Sequence, residues 1–99
     1  MKLNQNCMKS ILTLAEHEIT LMYRDDSEFG VHYSDTTSLS IRTIVERLRD
    51  SYSVPDIKYA FRMLGEAGYI IKEFSQSDQT EMLTAITYEG HRFIQVSGL

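Results

Sequence analysis

The stretch Ser53-Val54-Pro55-Asp56-Ile57-Lys58-Tyr59-Ala60-Phe61-Arg62-Met63-Leu64-Gly65-Glu66-Ala67-Gly68 decides how this chain folds. A serine hydroxyl can accept from the unpaired amides of a first helical turn. Proline tolerates that turn because it has no N–H to satisfy, and an aspartate there meets the positive end of the helix dipole. Ser53, Pro55 and Asp56 occupy those positions. Ile57, Ala60, Phe61, Leu64 and Ala67 then recur at helical steps, which puts them on one inward face. Gly68 supplies the left-handed stop that glycine adopts with least strain. The stretch predicts a capped amphipathic helix with a sharp end.

Downstream, Tyr69-Ile70-Ile71-Lys72-Glu73-Phe74 has strand composition. Ser75 to Gln79 reads as a polar turn, and Glu81 to Ile86 as the returning strand. Thr87 can cap a short final helix, with Glu89 in its first turn and Phe93, Ile94 and Val96 as apolar anchors. Gly90 is expected to allow close approach of that helix, and His91, near Glu89, to orient it against the hairpin.

Upstream, Ser40 can cap a helix whose inward stripe is Ile41, Ile44, Val45 and Leu48. That helix stops near Asp50, and Ser51-Tyr52 makes a tight connection to the next. At the start of the chain, Asn4 can cap a helix carrying Met8, Ile11, Leu12, Ala15, Ile19 and Met22 on one face. Leu14 and Leu21 widen that face beyond what a small domain needs, which predicts a homodimer through this helix. Its end is open between His17 and Tyr23, because Ile19 to Tyr23 would also serve as a strand. Asp25 to Gly30 reads as a loop, Val31-His32-Tyr33 as a short strand, and Asp35 to Ser38 as irregular.

Two helices joined by a short turn and followed by a hairpin make a helix-turn-helix with a wing. The expectation is one α+β domain over residues 1–99, a winged helix-turn-helix with a three-helix core, a two-stranded wing and a short C-terminal helix.

Tyr59 to Ile70 looks like the passage of helix, Leu, Glu-Ala-Gly, aromatic or Leu, then Ile found in many winged-helix proteins. Ile86-Thr87-Tyr88-Glu89-Gly90-His91-Arg92-Phe93-Ile94 resembles the ending of a family of small phage and prophage proteins of unknown function. The opening, Met1 to Leu14, also fits that family. The resemblance covers mainly residues 53 to 95 and implies a winged-helix fold and a phage or prophage origin. It implies no activity. The chain departs from the family's shorter members in its long acidic stretch between Arg24 and Ser38.

The composition, 42% hydrophobic and 24% charged over 99 residues, is that of one globular domain. No apolar run approaches the roughly 20 residues that span a bilayer, so no membrane partner is expected. Met1 to Asn6 lacks the apolar core of a secretory signal. Cys7 is the only cysteine, which excludes an internal disulfide and suits a reducing cytoplasm; a buried place on a helix face is expected for it.

The net charge of −4 is unevenly spread. Asp25, Asp26, Glu28 and Asp35 fall within one stretch without a cation. From Ile41 to Phe74, six cations (Arg42, Arg47, Arg49, Lys58, Arg62, Lys72) face five anions, so the helix-turn-helix region is slightly positive. Two functions compete on that distribution. In the first, a transcriptional regulator binds double-stranded DNA. Lys58, Tyr59 and Arg62 on the third helix enter the major groove, Arg42 and Arg49 reach the flanking backbone, and Lys72 does so from the wing strand. Against it, Glu66 shares the helix face, and the wing tip holds Asp78 and Glu81 with no cation. In the second, the domain engages or inhibits a host protein, with Asp25, Asp26 and Glu28 meeting a basic partner and Phe29 as anchor.

His17, His32 and His91 are too widely spaced for a zinc site, so no metal and no cofactor is expected. With no phosphate loop, nucleophile elbow or acid–base pair, the chain does not read as an enzyme.

Overall fold

The computed structural model describes residues 2–25 and 38–97. Its elements are α1 (Gln5–Asp25), β1 (Leu39–Ser40), α2 (Ile41–Leu48), α3 (Val54–Glu66), β2 (Ile70–Phe74), β3 (Glu81–Ile86) and α4 (Tyr88–Ser97). They make a small α+β domain of four helices and a three-stranded antiparallel sheet with strand order β1-β3-β2.

Helix α1 starts where its cap predicts, with the Cys7 amide donating to Asn4 Oδ1 at 3.0 Å. It stays helical to Asp25, so the Ile19–Tyr23 segment is helix and not strand. Cys7, Met8, Ile11, Leu12 and Ala15 are buried, and Leu14 is partly so, against the domain's own core. Much of the wide apolar face is thus covered within the monomer. Val31 to Tyr33, expected as a strand, lies outside the described residues.

Ser40 does two jobs. Its backbone ends β1, paired as Leu39↔Leu83 and Ser40↔Met82, and its hydroxyl accepts from the Thr43 amide at 3.1 Å to cap α2. The two-stranded hairpin expected from the sequence therefore gains a third strand. Two residues carry no periodicity from which that strand could be read. Ile44 is fully buried, while Ile41, Val45 and Leu48 pack beside it, as the stripe predicts. In the connection, the Ser51 and Tyr52 amides both donate to the Leu48 carbonyl at 3.0 Å. The Tyr52 hydroxyl lies 3.1 Å from Ser10 Oγ on α1.

Helix α3 is capped by Ser53, whose hydroxyl accepts from the Asp56 amide at 3.2 Å, and Pro55 sits in its first turn. Ile57, Ala60, Phe61 and Leu64 are buried. Ala67, expected inside, is exposed because the helix ends there; Gly68 turns the chain at φ +81° and the Tyr69 amide donates back to Leu64 at 2.9 Å. Strands β2 and β3 pair from Ile70↔Ile86 to Phe74↔Glu81, with an irregularity between Ile71 and Lys72.

Thr87 fastens α4. Its hydroxyl donates to the Gly68 carbonyl at 2.6 Å and accepts from the Gly90 amide at 3.1 Å. A Cβ on Gly90 would collide with the Tyr69 carbonyl and come within 2.7 Å of Ile86 Cγ2, so the close approach expected there is real. Phe93 stacks on Tyr69 at 5.0 Å between ring centres. Two expectations for this helix fail. Val96 is 76% exposed rather than an anchor, because the helix has passed the edge of the core. His91 does not engage the hairpin: its Nδ1 lies 3.2 Å from Glu16 Oε2, joining α4 to α1.

Among the described residues no helix is long and apolar enough to cross a membrane. Cys7 is fully buried, and burial first, then the nearby Asp56 charge, push its thiol up to about 11.

Candidate nucleic-acid interface

The cations of α2 and α3 are separated along the chain and reunited by helix geometry. On α2, Arg42, Val45 and Arg49 recur three and four residues apart and so share a stripe. On α3, Val54 and Lys58 do the same, one turn from the Ser53 cap. The short Arg49–Ser53 connection folds these stripes toward one another, and the turn of the β2–β3 hairpin closes one end. The result is a groove of about 390 Å³ lined by Ile41, Arg42, Val45, Glu46, Arg49, Val54, Lys58 and Thr80. Three of the six residues expected to meet DNA, all three of them cations, line it, against the single carboxylate of Glu46.

The other three expected contacts are placed differently. Arg62 follows Lys58 by one helical turn and is exposed, but its Nε donates to Glu66 Oε2 at 3.0 Å. Tyr59, on the far side of Lys58, is half-buried. Lys72 is folded inward. Its side chain is only 24% exposed, its ammonium lies 3.5 Å from Glu81 Oε2, and it sits 5.1 Å over the centre of the Phe61 ring. Lys72 Cε also fills the space where a Cβ on Gly65 would stand, at 2.7 Å. This lysine covers the core edge, with its ammonium beside Glu81.

The hairpin turn is stiffly built. Ser75 and Thr80 are joined by a 2.8 Å backbone bond, the Gln79 amide donates to Ser75 at 2.9 Å, and Gln79 takes a positive φ of 62°. Asp78 projects from this turn, with Oδ2 3.9 Å from Arg42 Nη2. Hydrogen bonding from Thr80, then from Ser75, and the Arg42 charge hold the Asp78 carboxyl below the usual carboxylate range. An acid at the mouth of the groove thus engages one of its cations.

Arg47 points to the other side of α2 and pairs with Glu18 of α1. Sequence reasoning missed Thr80, the apolar lining and the meeting of Asp78 with Arg42, since each depends on how the hairpin docks beside α2. Phe74, assigned only to a strand, is 61% exposed on the same hairpin. Of the acidic stretch, Asp25 ends α1, while Asp26, Glu28 and Phe29 lie outside the described residues. Among the described residues no group of three or more His, Cys, Asp or Glu side chains could hold a metal ion. No protein-family model, no curated protein sequence and no solved structure matches this chain.

Proposed function

We propose that the domain is a winged helix-turn-helix that binds double-stranded DNA, in the manner of a small phage-type transcriptional regulator. On this reading α2 and α3 are the helix-turn-helix, and the β2–β3 hairpin is the wing. Lys58 and Arg62 lie on the groove-facing stripe of the recognition helix, and Arg42 and Arg49 meet the flanking phosphates. The observation that carries it is the gathering of Arg42, Arg49 and Lys58 onto one groove in a chain whose net charge is −4. Arg62 reads a base only by leaving Glu66, an exposed exchange that costs little. Tyr59 contributes its exposed edge beside Lys58, and Lys72 serves as packing.

Titration of the protein with duplex DNA at two salt concentrations tests the reading. Neutralisation of phosphates by about four side chains gives a log–log salt slope of roughly −3 to −4. Absence of binding at low salt overturns it.

One observation favours a second reading, as a module that engages a host protein through its acidic stretch. Asp78 at the hairpin turn leaves the wing tip without a free positive charge, where phosphate tracking would want one. Reversing Asp25, Asp26 and Glu28 to lysine abolishes capture of that partner if this reading holds, and unchanged capture removes it. A homodimer through α1, which would suit a palindromic site, does not draw on Cys7, Met8, Ile11, Leu12 and Ala15, which are already buried in the monomer's own core. A single monomer-sized species at micromolar concentration discards it.

A further inference from the structure

The groove between α2 and α3 has a feature that phosphate neutralisation alone does not call for. Part of its lining is apolar: Ile41, Val45 and Val54 are each only partly buried and contribute hydrocarbon surface to the groove. The same lining carries the cations Arg42, Arg49 and Lys58. A phosphate on a duplex surface needs the charges and gains nothing from the hydrocarbon. A small molecule with an anionic head and an apolar body uses both.

The size agrees. About 390 Å³ is within the range of small-molecule sites, which are typically about 300–1,000 Å³, mostly apolar, with a few polar groups in fixed places. The chemistry narrows the ligand further. Two guanidiniums and an ammonium against the carboxylates of Glu46 and, at the mouth, Asp78 leave a positive excess of one, which favours an anionic head. The apolar lining is two valines and an isoleucine, so the body is a small hydrocarbon, of about ring size in a groove of this volume. Thr80, partly exposed at the hairpin end, adds a hydroxyl that can donate to an oxygen of the head.

We propose that the α2–α3 groove is a binding site for a small amphipathic organic anion, a phosphate monoester or carboxylate on a ring-sized apolar body. Such a ligand occupies Arg42, Arg49 and Lys58 and so displaces DNA from the same side chains; this regulatory consequence, though not the binding itself, rests on the DNA reading.

Phenyl phosphate is the probe, titrated into the full chain without DNA and followed by amide and methyl chemical shifts. Inorganic phosphate supplies the head alone and phenol the body alone. The expected result is saturable shifts at Val45, Val54 and Thr80 with phenyl phosphate, at an affinity about tenfold above that of inorganic phosphate, from burial of the ring. Phenol alone is expected to bind far more weakly than phenyl phosphate. Arg49→Gln, a change at an exposed side chain, weakens phenyl phosphate several-fold, whereas Val45→Thr lowers phenyl phosphate binding and leaves inorganic phosphate unchanged. Unfolding curves of both variants establish that each is folded. Equal affinity for phenyl phosphate and inorganic phosphate, or shifts that fall outside the groove, overturns the site. With DNA present, failure of phenyl phosphate to compete overturns only the regulatory consequence, and failure of DNA to bind leaves the titration without DNA standing on its own.

Discussion

The two ends of α3 meet cations in opposite ways, one from the helix itself and one from strand β2. At the start of α3, Lys58 is exposed on a groove that also gathers Arg42 and Arg49. At its end, Lys72 is laid over Phe61, paired with Glu81 and seated on the bare backbone of Gly65. Both lysines count equally toward the charge of residues 41–74, yet Lys58 is exposed and Lys72 is largely covered. The difference is one of packing. Between α2 and α3 exposed cations and partly buried apolar side chains line an open groove, whereas between α3 and β2 the absence of a Cβ at Gly65 lets a long aliphatic stem lie flat.

The largest effect is expected from reversing the open end. Arg49→Glu with Lys58→Glu removes two positive charges from the groove and adds two negative ones. If the domain binds DNA as proposed, its affinity at low salt falls by about 100-fold or more, and the salt slope becomes shallower by about 2. Both side chains are exposed, so the unfolding midpoint moves little. The same reversal at the closed end, Lys72→Glu, should give the mirror result. It places a carboxylate beside Glu81 and uncovers Phe61, costing roughly 1 kcal/mol of stability in chemical denaturation with a much smaller change in DNA binding. If Lys72→Glu weakens DNA as strongly as the double reversal, the distinction between the two ends is broken.

Gly65→Ala tests the comparison from the packing side. The new methyl evicts Lys72 Cε, the flexible end of a side chain, and alanine gains about 1 kcal/mol of helix propensity over glycine. The cation–π contact is lost in exchange. Stability therefore stays within about 1 kcal/mol of the parent, while the freed ammonium raises DNA affinity about twofold to threefold, as measured by anisotropy.

The smallest effect concerns Asp78. Asp78→Asn releases Arg42 and should tighten DNA binding by about twofold, an increment typical of one exposed charge pair. The pH dependence has a definite sign. The folded-state pKa of Asp78 is lowered, so whatever it contributes is present above the unfolded carboxylate pKa, near 4, and is lost as pH falls through the folded value. Arg42 thus stays engaged by Asp78 at mildly acidic pH, and lowering the pH to about 5 should not reproduce the Asp78→Asn gain. If it does, the pairing is not what restrains Arg42.

What could be read from the sequence follows the range of the interactions. Caps act within four residues, and those at Asn4, Ser40, Ser53 and Thr87 stand where the side chains predict. The apolar stripes of α2 and α3 were equally legible, because helical periodicity repeats the signal several times. Strand β1 was not, since two residues repeat nothing. His91 was misplaced for a related reason: its partner, Glu16, is 75 residues away and invisible to any local rule. The site divides in the same way. Arg42, Arg49 and Lys58 could be chosen from helix faces alone. The inward turn of Lys72 and the reach of Asp78 to Arg42 arise from the docking of the hairpin, which no spacing encodes.

Ser40 joins two parts of the molecule that would otherwise be independent. It is the last residue of the outer strand and the first anchor of α2, so the sheet and the groove share a mechanical joint. Any force that peels β1 from β3 also uncaps α2 and slackens the wall carrying Arg42. Amide exchange around Met82 and at Thr43 should accordingly speed up or slow down in concert, and Ser40→Ala should loosen both together. The hairpin is then not a passive flap beside the helices but a lever with its fulcrum at a single hydroxyl.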